Sequence, residues 1–280
     1  MTEADDIVFE RVRVDDASLV EIGSLLKLVF GEQDRFSLDA LRWRYVDNPA
    51  GKVLGWNARA HGELIGHYAC SPVRALVKGS QVRGLLGVNN ATHPNARGRG
   101  LYYRLATATY DDARVQGYEF VFGVANASSG PLLLRKLNFQ FVEQMLAGFI
   151  LRPPRAHLSE RADFEIEWTS DLRRWRLANP AGRYTVRRSG AMDCVFAKTS
   201  VPLVSCLGVW PHEGGHPTVG FATPAVYIGT RSLVDVGQLG FVALPERLRR
   251  SPLNIVYRSL NGSVSSIANA KLSFIDFDAF

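Results

Sequence analysis

Cysteine is scarce in this chain of 280 residues: Cys70, Cys194 and Cys206 are an odd number, widely spaced and without a CxxC pair. That excludes a disulfide scaffold and points to a reducing compartment, so a cytoplasmic setting is expected. No apolar run approaches the roughly 18 residues that a membrane span requires. The first residues, Met1–Asp6, are acidic rather than basic, so no secretory signal is expected either. The Asn-x-Ser/Thr triplets at Asn90, Asn126 and Asn261 then carry no weight as glycosylation sites. Charge of one sign is not concentrated. The net charge is +6, but acidic and basic residues are mixed along most of the chain. Helix-turn-helix, zinc-finger and RNP-like patterns are all missing, so a nucleic-acid partner is not expected. The one dense basic stretch, Arg173, Arg174, Arg176, Arg183, Arg187 and Arg188, reads as a solvated face or as a site for a small anion.

What is present is the composition of a globular protein, 46% hydrophobic and 21% charged, which excludes disorder. Residues Ile7–Arg13 alternate as a half-buried strand does, and Asp15 or Asp16 caps an apolar-periodic run from Leu19 to Phe30. Ser37 opens a second helix that ends near Val46, where Asn48-Pro49-Ala50-Gly51 breaks it. Three strands, about Lys52–Ala60, Leu64–Val77 and Val82–Thr92, read as an antiparallel meander. The period turns helical from Gly98 to Gln116, with Gly117 as the stop. Then come a strand at Tyr118–Val124, a short helix at Ser128–Leu137, and a strand pair or one long strand at Phe139–Leu151.

Arg152-Pro153-Pro154-Arg155 begins a polar linker, so the expected division is a first domain over residues 1–151, a linker over 152–162 and a mostly β second domain over 163–280. A repeat spans this boundary. Trp43-Arg44-Tyr45-Val46-Asp47-Asn48-Pro49-Ala50-Gly51 resembles Trp175-Arg176-Leu177-Ala178-Asn179-Pro180-Ala181-Gly182 with one residue deleted, and a strand, a Gly and a further strand follow each copy. The preferred reading is a duplicated domain whose second copy has diverged.

The chemistry is concentrated in Ala91-Thr92-His93-Pro94-Asn95-Ala96-Arg97-Gly98-Arg99-Gly100-Leu101, between an apolar strand and a helix. Glycines at a helix start let main-chain N–H groups close on an anion, and the helix dipole favours phosphate there. The stretch is not a nucleotide P-loop, because no Gly-Lys-Ser/Thr follows, and it lacks the full GxGxxG spacing. It resembles the acyl-CoA-binding motif of the GNAT-type N-acetyltransferase superfamily, Gln/Arg-x-x-Gly-x-Gly/Ala after a strand ending Thr-x-Pro. Asn95 stands where Gln or Arg is usual. A second landmark of that family, a strand, an Asn, a short helix and Lys-x-Gly-Phe, is matched by Phe120–Val124, Asn126, Leu132–Leu134 and Lys136-Leu137-Asn138-Phe139, with Asn138 in place of Gly.

The resemblance, over about residues 7–151, implies an α/β fold: an acyl-CoA N-acyltransferase-like mixed sheet flanked by helices, with a second, smaller, diverged lobe. Its fourth and fifth strands, Val82–Thr92 and Tyr118–Val124, would splay to admit a pantetheine arm. It implies acetyl-CoA or another acyl-CoA as co-substrate, with no metal. Amides near Ala91 and Thr92 would pair with pantetheine, and Asn95, Ala96, Arg97, Gly98, Arg99, Gly100 and Leu101 would hold the diphosphate. Asn126 would touch the pantetheine arm or simply cap the short helix. The implied reaction is acyl transfer, most simply acetyl transfer, to a primary amine of a small molecule such as an amino sugar.

That reaction needs a neutral amine, yet residues 84–94 contain no Asp or Glu on which a strand-borne base would depend. Either the acceptor has a low pKa, or a base comes from elsewhere. His67, Tyr68 and Glu119 are candidates, while Asn90, with Asn89, would orient the acceptor or a water. Leu134 stands where many relatives carry a proton-donating Tyr. The expected partner is a small amine, with homodimerisation open and no membrane; a non-catalytic GNAT-like binding protein is the alternative. His212-Glu213-Gly214-Gly215-His216 fits HExxH, but Pro211, Pro217 and the Gly pair argue for a surface turn rather than a zinc-binding helix.

Overall fold

The computed structural model describes residues 7–152, 162–199, 204–216, 225–234, 240–245, 247, 249 and 251–277. In chain order the first half runs β1 (Val8–Arg11), α1 (Asp16–Phe30), α2 (Leu38–Tyr45), β2 (Leu54–Ala60), β3 (Glu63–Val77), β4 (Ser80–Thr92), α3 (Leu101–Val115), β5 (Phe120–Ala125), α4 (Gly130–Lys136), β6 (Gln140–Gln144) and β7 (Leu146–Ile150). The second half runs β8 (Phe164–Ile166), α5 (Ser170–Leu177), β9 (Tyr184–Lys198), β10 (Ser205–His216), β11 (Ala225–Gly229), β12 (Val242–Ala243), β13 (Asn254–Ser259), β14 (Ala270–Lys271) and α6 (Phe274–Phe277). The helices start where their caps dictate. The Asp15 carboxylate accepts from Ser18 N–H, the Ser37 hydroxyl from Ala40 N–H and the Thr169 hydroxyl from Leu172 N–H.

The expected meander is present: β1, β2, β3 and β4 pair antiparallel in order, and β4 then pairs parallel with β5. One face of this sheet packs against α1 and α2. The other packs against α3, which buries Leu101, Leu105, Ala106, Tyr110 and Ala113.

The two sheets do not respect the linker at 152–162, because the second half donates β13, and at the side of β3 also β8 and β14, to the first sheet, and the first half donates β7 to the second. The first sheet runs β1-β2-β3-β4-β5-β13-β6, and the second runs β12-β7-β11-β10-β9. Phe139–Leu151 is thus neither one strand nor a hairpin. β6 stays in the first sheet, while β7 crosses to the second and pairs with β11 and β12.

The duplication read from the Trp repeat extends to strand order. In each sheet a long strand pairs antiparallel with the next (β3 with β4, β9 with β10), that strand pairs parallel with the following one (β4 with β5, β10 with β11), and a strand from the other half comes next. The sequence carries this copy too: Leu86-Gly87-Val88 with His93-Pro94 beyond it corresponds to Leu207-Gly208-Val209 with His216-Pro217 beyond it. The HExxH match is therefore the end of the duplicated strand. Pro211 and His216 pair with Met192 and Gly190 of β9, so the segment is extended, neither helix nor turn. Among the described residues no group of three or more His, Cys, Asp or Glu is placed to hold a metal.

Candidate functional site

The central feature is a fork between two parallel strands. β4 and β5 are paired only at Gly84↔Phe120, Leu85↔Val121 and Leu86↔Phe122. Past that point each keeps its outer neighbour, β4 holding to β3 as far as Thr92 and β5 to β13 as far as Ala125, while they leave each other. The first residue of each diverging arm is a glycine, Gly87 and Gly123. A Cβ at either would meet nothing closer than 3.7 Å and 3.9 Å.

Beyond the fork, β4 is bent by an irregularity. His67 pairs with Ala91 and Ala69 with Val88, so Tyr68 faces a strand that has gained a residue, and Asn89 sits at φ +51°. The Asn90 side chain accepts from Ala69 N–H at 2.9 Å and holds the bulge. Ala91 and Thr92 rejoin β3 opposite His67 and Gly66.

The turn that follows provides the anion cradle. Asn95 N–H donates to His93 Nδ1, Ala96 N–H to the His93 carbonyl and Arg97 N–H to the Pro94 carbonyl, so these three amides are taken up inside the turn. The donors that this turn does not take up are therefore Gly98 N–H and those that open α3, a narrower stretch than Asn95–Leu101. Gly98 and Gly100 adopt φ +80° and +72°, where a Cβ would meet nothing within 4 Å but would strain the backbone. Gly100 is the N-cap and offers no side chain, so the first N–H groups of α3 have neither an intrahelical acceptor nor a side-chain cap. These donors suit a diphosphate.

The second sheet forks in the same way, and there the chain fills it. β10 and β11 pair at Ser205↔Ala225, Cys206↔Val226 and Leu207↔Tyr227 and then part. The segment before and within α6 runs through the gap. Val209 N–H donates to Ser273 Oγ, Gly229 bridges to Ser273, and Thr230 N–H donates to the Leu272 carbonyl at 2.8 Å. Gly208, the counterpart of Gly87, is pressed by Phe274 and Ile275, each 2.9 Å from where its Cβ would be. Among the described residues the first fork has no such strap: there β4 pairs with β3 and β5, and β5 with β4 and β13.

The expected base candidates fall elsewhere. His67 is 1% exposed, and burial pushes its pKa down to about 3. Its Nδ1–H donates to Asn57 Oδ1 at 2.7 Å, which fixes Nε2 as the acceptor of the Tyr45 hydroxyl at 2.9 Å. Tyr45 in turn accepts from Asn89 Nδ2 at 3.3 Å. His67 is thus a neutral anchor behind the fork. Tyr68 is a core phenol bonded to the Tyr110 hydroxyl beneath α3, its pKa raised by burial. Glu119 lies at the closed end of the fork, next to the paired Phe120, and accepts from Asn261 and Ser263. None of the three sits as a base at the opening. A lone polar residue on a strand gives no sign of which strand end or which face it occupies.

Asn126 closes the turn ahead of α4, its Oδ1 accepting from the N–H groups of Ser128 and Ser129, while the N-cap itself is Ser129 and carries no side-chain cap. Asn138 occupies φ +53°, which explains why Gly is usual there. Leu134 is exposed on α4. The basic stretch is largely neutralised: Arg173 and Arg188 pair with Asp193, and Arg174 pairs with Asp171. Arg176 alone turns inward and is 3% exposed.

Sequence reasoning missed the cavity beside the fork. It has a volume of about 130 Å³ and is lined by Arg35, Ala40, Trp43, Arg44, Gly87, Val88, Asn89, Asn179 and Phe277. Its wall includes the first residues of β4 past the last pair with β5, so it opens where the two strands diverge.

With this geometry in hand, comparison with known proteins is informative. Residues 12–142 match the family described as acetyltransferase (GNAT) domain. Among solved structures, the chain is similar to a GCN5-related N-acetyltransferase from Kribbella flavida, with TM-score 0.66 and 11% identity, covering 93% of this chain and 73% of that one. It is also similar to one from Anabaena variabilis, with TM-score 0.63 and 10% identity, covering 91% and 74%. At these identities the likeness concerns the fold. No curated protein matches the chain.

Proposed function

Because residues 12–142 match the GNAT acetyltransferase domain family, we propose that the chain is an acyl-CoA-dependent N-acyltransferase, acting with acetyl-CoA on a primary amine of a small molecule such as an amino sugar. The observation that carries this reading is the contrast between the two forks. In the second, an extended segment with its own amide groups satisfies the parted strands; the first presents the same parted strands with no such segment among the described residues, and the extended, amide-bearing pantetheine arm fits there. The amides from Gly98 to Leu101 hold the diphosphate at the end of that arm, and the main chain of β4 past Leu86 faces the thioester.

The amine attacks the thioester carbonyl, its nitrogen bonds to the acyl carbon, and the carbon–sulfur bond breaks. An amine of pKa about 10.4 costs on the order of 4–5 kcal/mol to deprotonate at pH 7. Among the described residues no Asp or Glu lines the cavity beside the fork, and Leu134 has no proton for the departing sulfur. The amine therefore arrives neutral from solvent and water protonates the thiolate, which suits the lower pKa of an amino sugar. This chain's own part is orientation, by Asn89 on the cavity wall and the Tyr45–His67 pair behind it.

The test is retention on immobilised CoA, with Gly98→Glu placing a carboxylate against the diphosphate. Retention by the native chain and loss in the variant are expected; equal retention overturns the cradle. Thiol release from acetyl-CoA across a panel of amines separates catalysis from a non-catalytic GNAT-like binding protein, which would retain CoA but release none.

A further inference from the structure

The segment that runs through the second fork also reaches the first. Leu272 and Ser273 are tied into the gap between β10 and β11: Leu272 N–H donates to Thr230 Oγ1 at 3.1 Å, and Ser273 Oγ accepts from Val209 N–H at 3.2 Å. Further on, both oxygens of the Asp276 carboxylate are engaged, Oδ1 by the Trp168 indole N–H and Oδ2 by Ser273 N–H, each at 2.6 Å. The short helix α6 is therefore pinned at its start and near its end, and the side chain that follows, Phe277, is placed by those bonds. It stands in the wall of the cavity beside the first fork, with Gly87, Val88 and Asn89 of β4.

Phe277 is joined there by other parts of the second lobe. Asn179 stands in the same wall, its Nδ2 donating to the Tyr184 hydroxyl at 3.1 Å. Trp43, the wall's other aromatic ring, is stacked on Trp175 and bonded to its carbonyl. The first lobe thus supplies the end of the cavity at the diverging strand, and the second supplies or fixes its aromatic sides. The space is about 130 Å³, and Phe277 is only 9% exposed. A ring packed from behind does not retreat before a larger ligand without disturbing its neighbours, so this wall limits what can lodge beside the fork.

We propose that Phe277 is a specificity-determining residue of the acceptor site: placed from the second lobe, it sets the upper size of the amine that reaches the fork, with Trp168 as its positioning residue. This rests on the acyl-transfer reading for the ligand being an amine, since Gly87–Asn89 form both the cavity wall and the diverging arm of β4. The segment that closes one fork thereby builds a wall of the other. The chemistry of the wall suits a compact amine with an apolar face, such as a hexosamine, whose C–H face meets an aromatic ring while its hydroxyls meet Asn89 and Asn179.

The experiment is a calorimetric titration of the full chain with CoA present, using three amines of rising size: ethanolamine, glucosamine and the disaccharide formed from two glucosamines. Glucosamine is expected to bind about tenfold or more tightly than the disaccharide, the discrimination that a few clashing atoms provide. Phe277→Leu should lower that ratio by admitting the disaccharide, whereas Phe277→Trp should move the preference toward ethanolamine. Trp168→Phe keeps a ring but loses the N–H that holds Asp276, so it should shift the ratio as Phe277→Leu does. In turnover it should raise the KM for the amine with no change in the KM for acetyl-CoA, a split that a general loss of packing would not give. Retention on immobilised CoA is expected in every variant and shows that the first lobe is folded; its loss in both Phe277 variants would make Phe277 a structural residue and overturn the proposal. A native chain that does not distinguish glucosamine from the disaccharide, or binds none of the three amines, overturns it too, as does a ratio that Phe277→Leu and Phe277→Trp leave unmoved. A ratio that moves as expected in a chain that releases no thiol would overturn the enzymatic reading and leave the wall standing. Thiol release with an unmoved ratio would do the reverse.

Discussion

Trp43 and Trp175 lie ring on ring, with centroids 4.6 Å apart and planes 15° from parallel, and each indole N–H donates to the other's main-chain carbonyl, at 2.7 Å from Trp43 and 2.9 Å from Trp175. The two residues occupy the same position in the duplicated segment, so the reciprocal bonds mark a local twofold relation between α2 and α5. Each repeat also ends its helix in the same way, with Asn48 Oδ1 accepting from Ala50 N–H and Asn179 Oδ1 from Ala181 N–H, both at 3.0 Å. The Trp residues are therefore the joint between the two lobes.

Trp175→Ala removes both the stacking and one donor. Since the Trp175 ring is only partly buried, the loss should fall near the low end for a large aromatic, about 3 kcal/mol. Trp175→Phe keeps the ring and forfeits the N–H, at about 1 kcal/mol. Urea unfolding measures both. An Ala variant within about 0.5 kcal/mol of the native chain, the range of an ordinary surface substitution, would show that the joint contributes nothing.

The glycines at the two forks should respond in opposite ways. Gly87→Val adds atoms where the nearest neighbour of a Cβ is Asn90 Nδ2 at 3.7 Å, so stability should change little while CoA retention falls at least tenfold. Gly208→Val drives into Phe274 and Ile275, an overpacking that costs about 1–3 kcal/mol, and CoA retention should survive. Loss of CoA binding in the second variant alone would place the cofactor in the wrong fork.

The anion cradle was legible because it is local. Thr92-His93-Pro94 and Gly98-Arg99-Gly100 are read within a dozen residues, and a helix start needs no distant partner. The Trp43 and Trp175 segments likewise announced two related lobes. The exchange of β7 and β13 was not legible, since a short strand does not record which edge it will join, and neither the apolar β7 nor β13, apolar only at its centre, names its partner. Nor was the role of His67. Its neighbours in β3 are apolar on both sides, and only the fold shows that Tyr45 and Asn57 close around it. The Leu-Gly-Val repeat at residues 86–88 and 207–209 was a usable signal for the second fork, obscured by the more conspicuous HExxH match that follows it.

Tyr45 links the buried histidine to the cavity wall, so Tyr45→Phe isolates that connection. The substitution leaves His67 Nε2 buried without its donor and Asn89 without its tether, at about 1–3 kcal/mol of stability. If Asn89 orients the acceptor, the rate of acyl transfer should fall about tenfold while CoA affinity is unchanged. A stability loss with unaltered kinetics would reduce the Tyr45–His67 pair to a structural bond.

Two buried groups set opposing pH dependences. His67 has its pKa lowered from 6.5 to about 3 by burial, so between those values the unfolded chain carries the extra proton and stability falls as pH falls, by about 1.4 kcal/mol per unit. Asp276 has its pKa raised from 3.8 to about 6, chiefly by burial. Between those values the folded chain carries the extra proton, so stability rises as pH falls, with a similar slope. From about pH 6 to pH 4 the two contributions offset each other. Relative to the native chain, His67→Gln should therefore gain stability on acidification across that window, and Asp276→Asn should lose it, each by about 1.4 kcal/mol per pH unit. Urea midpoints at pH 6, 5 and 4 for the three proteins test this. Parallel curves would mean that neither group changes its proton affinity on folding.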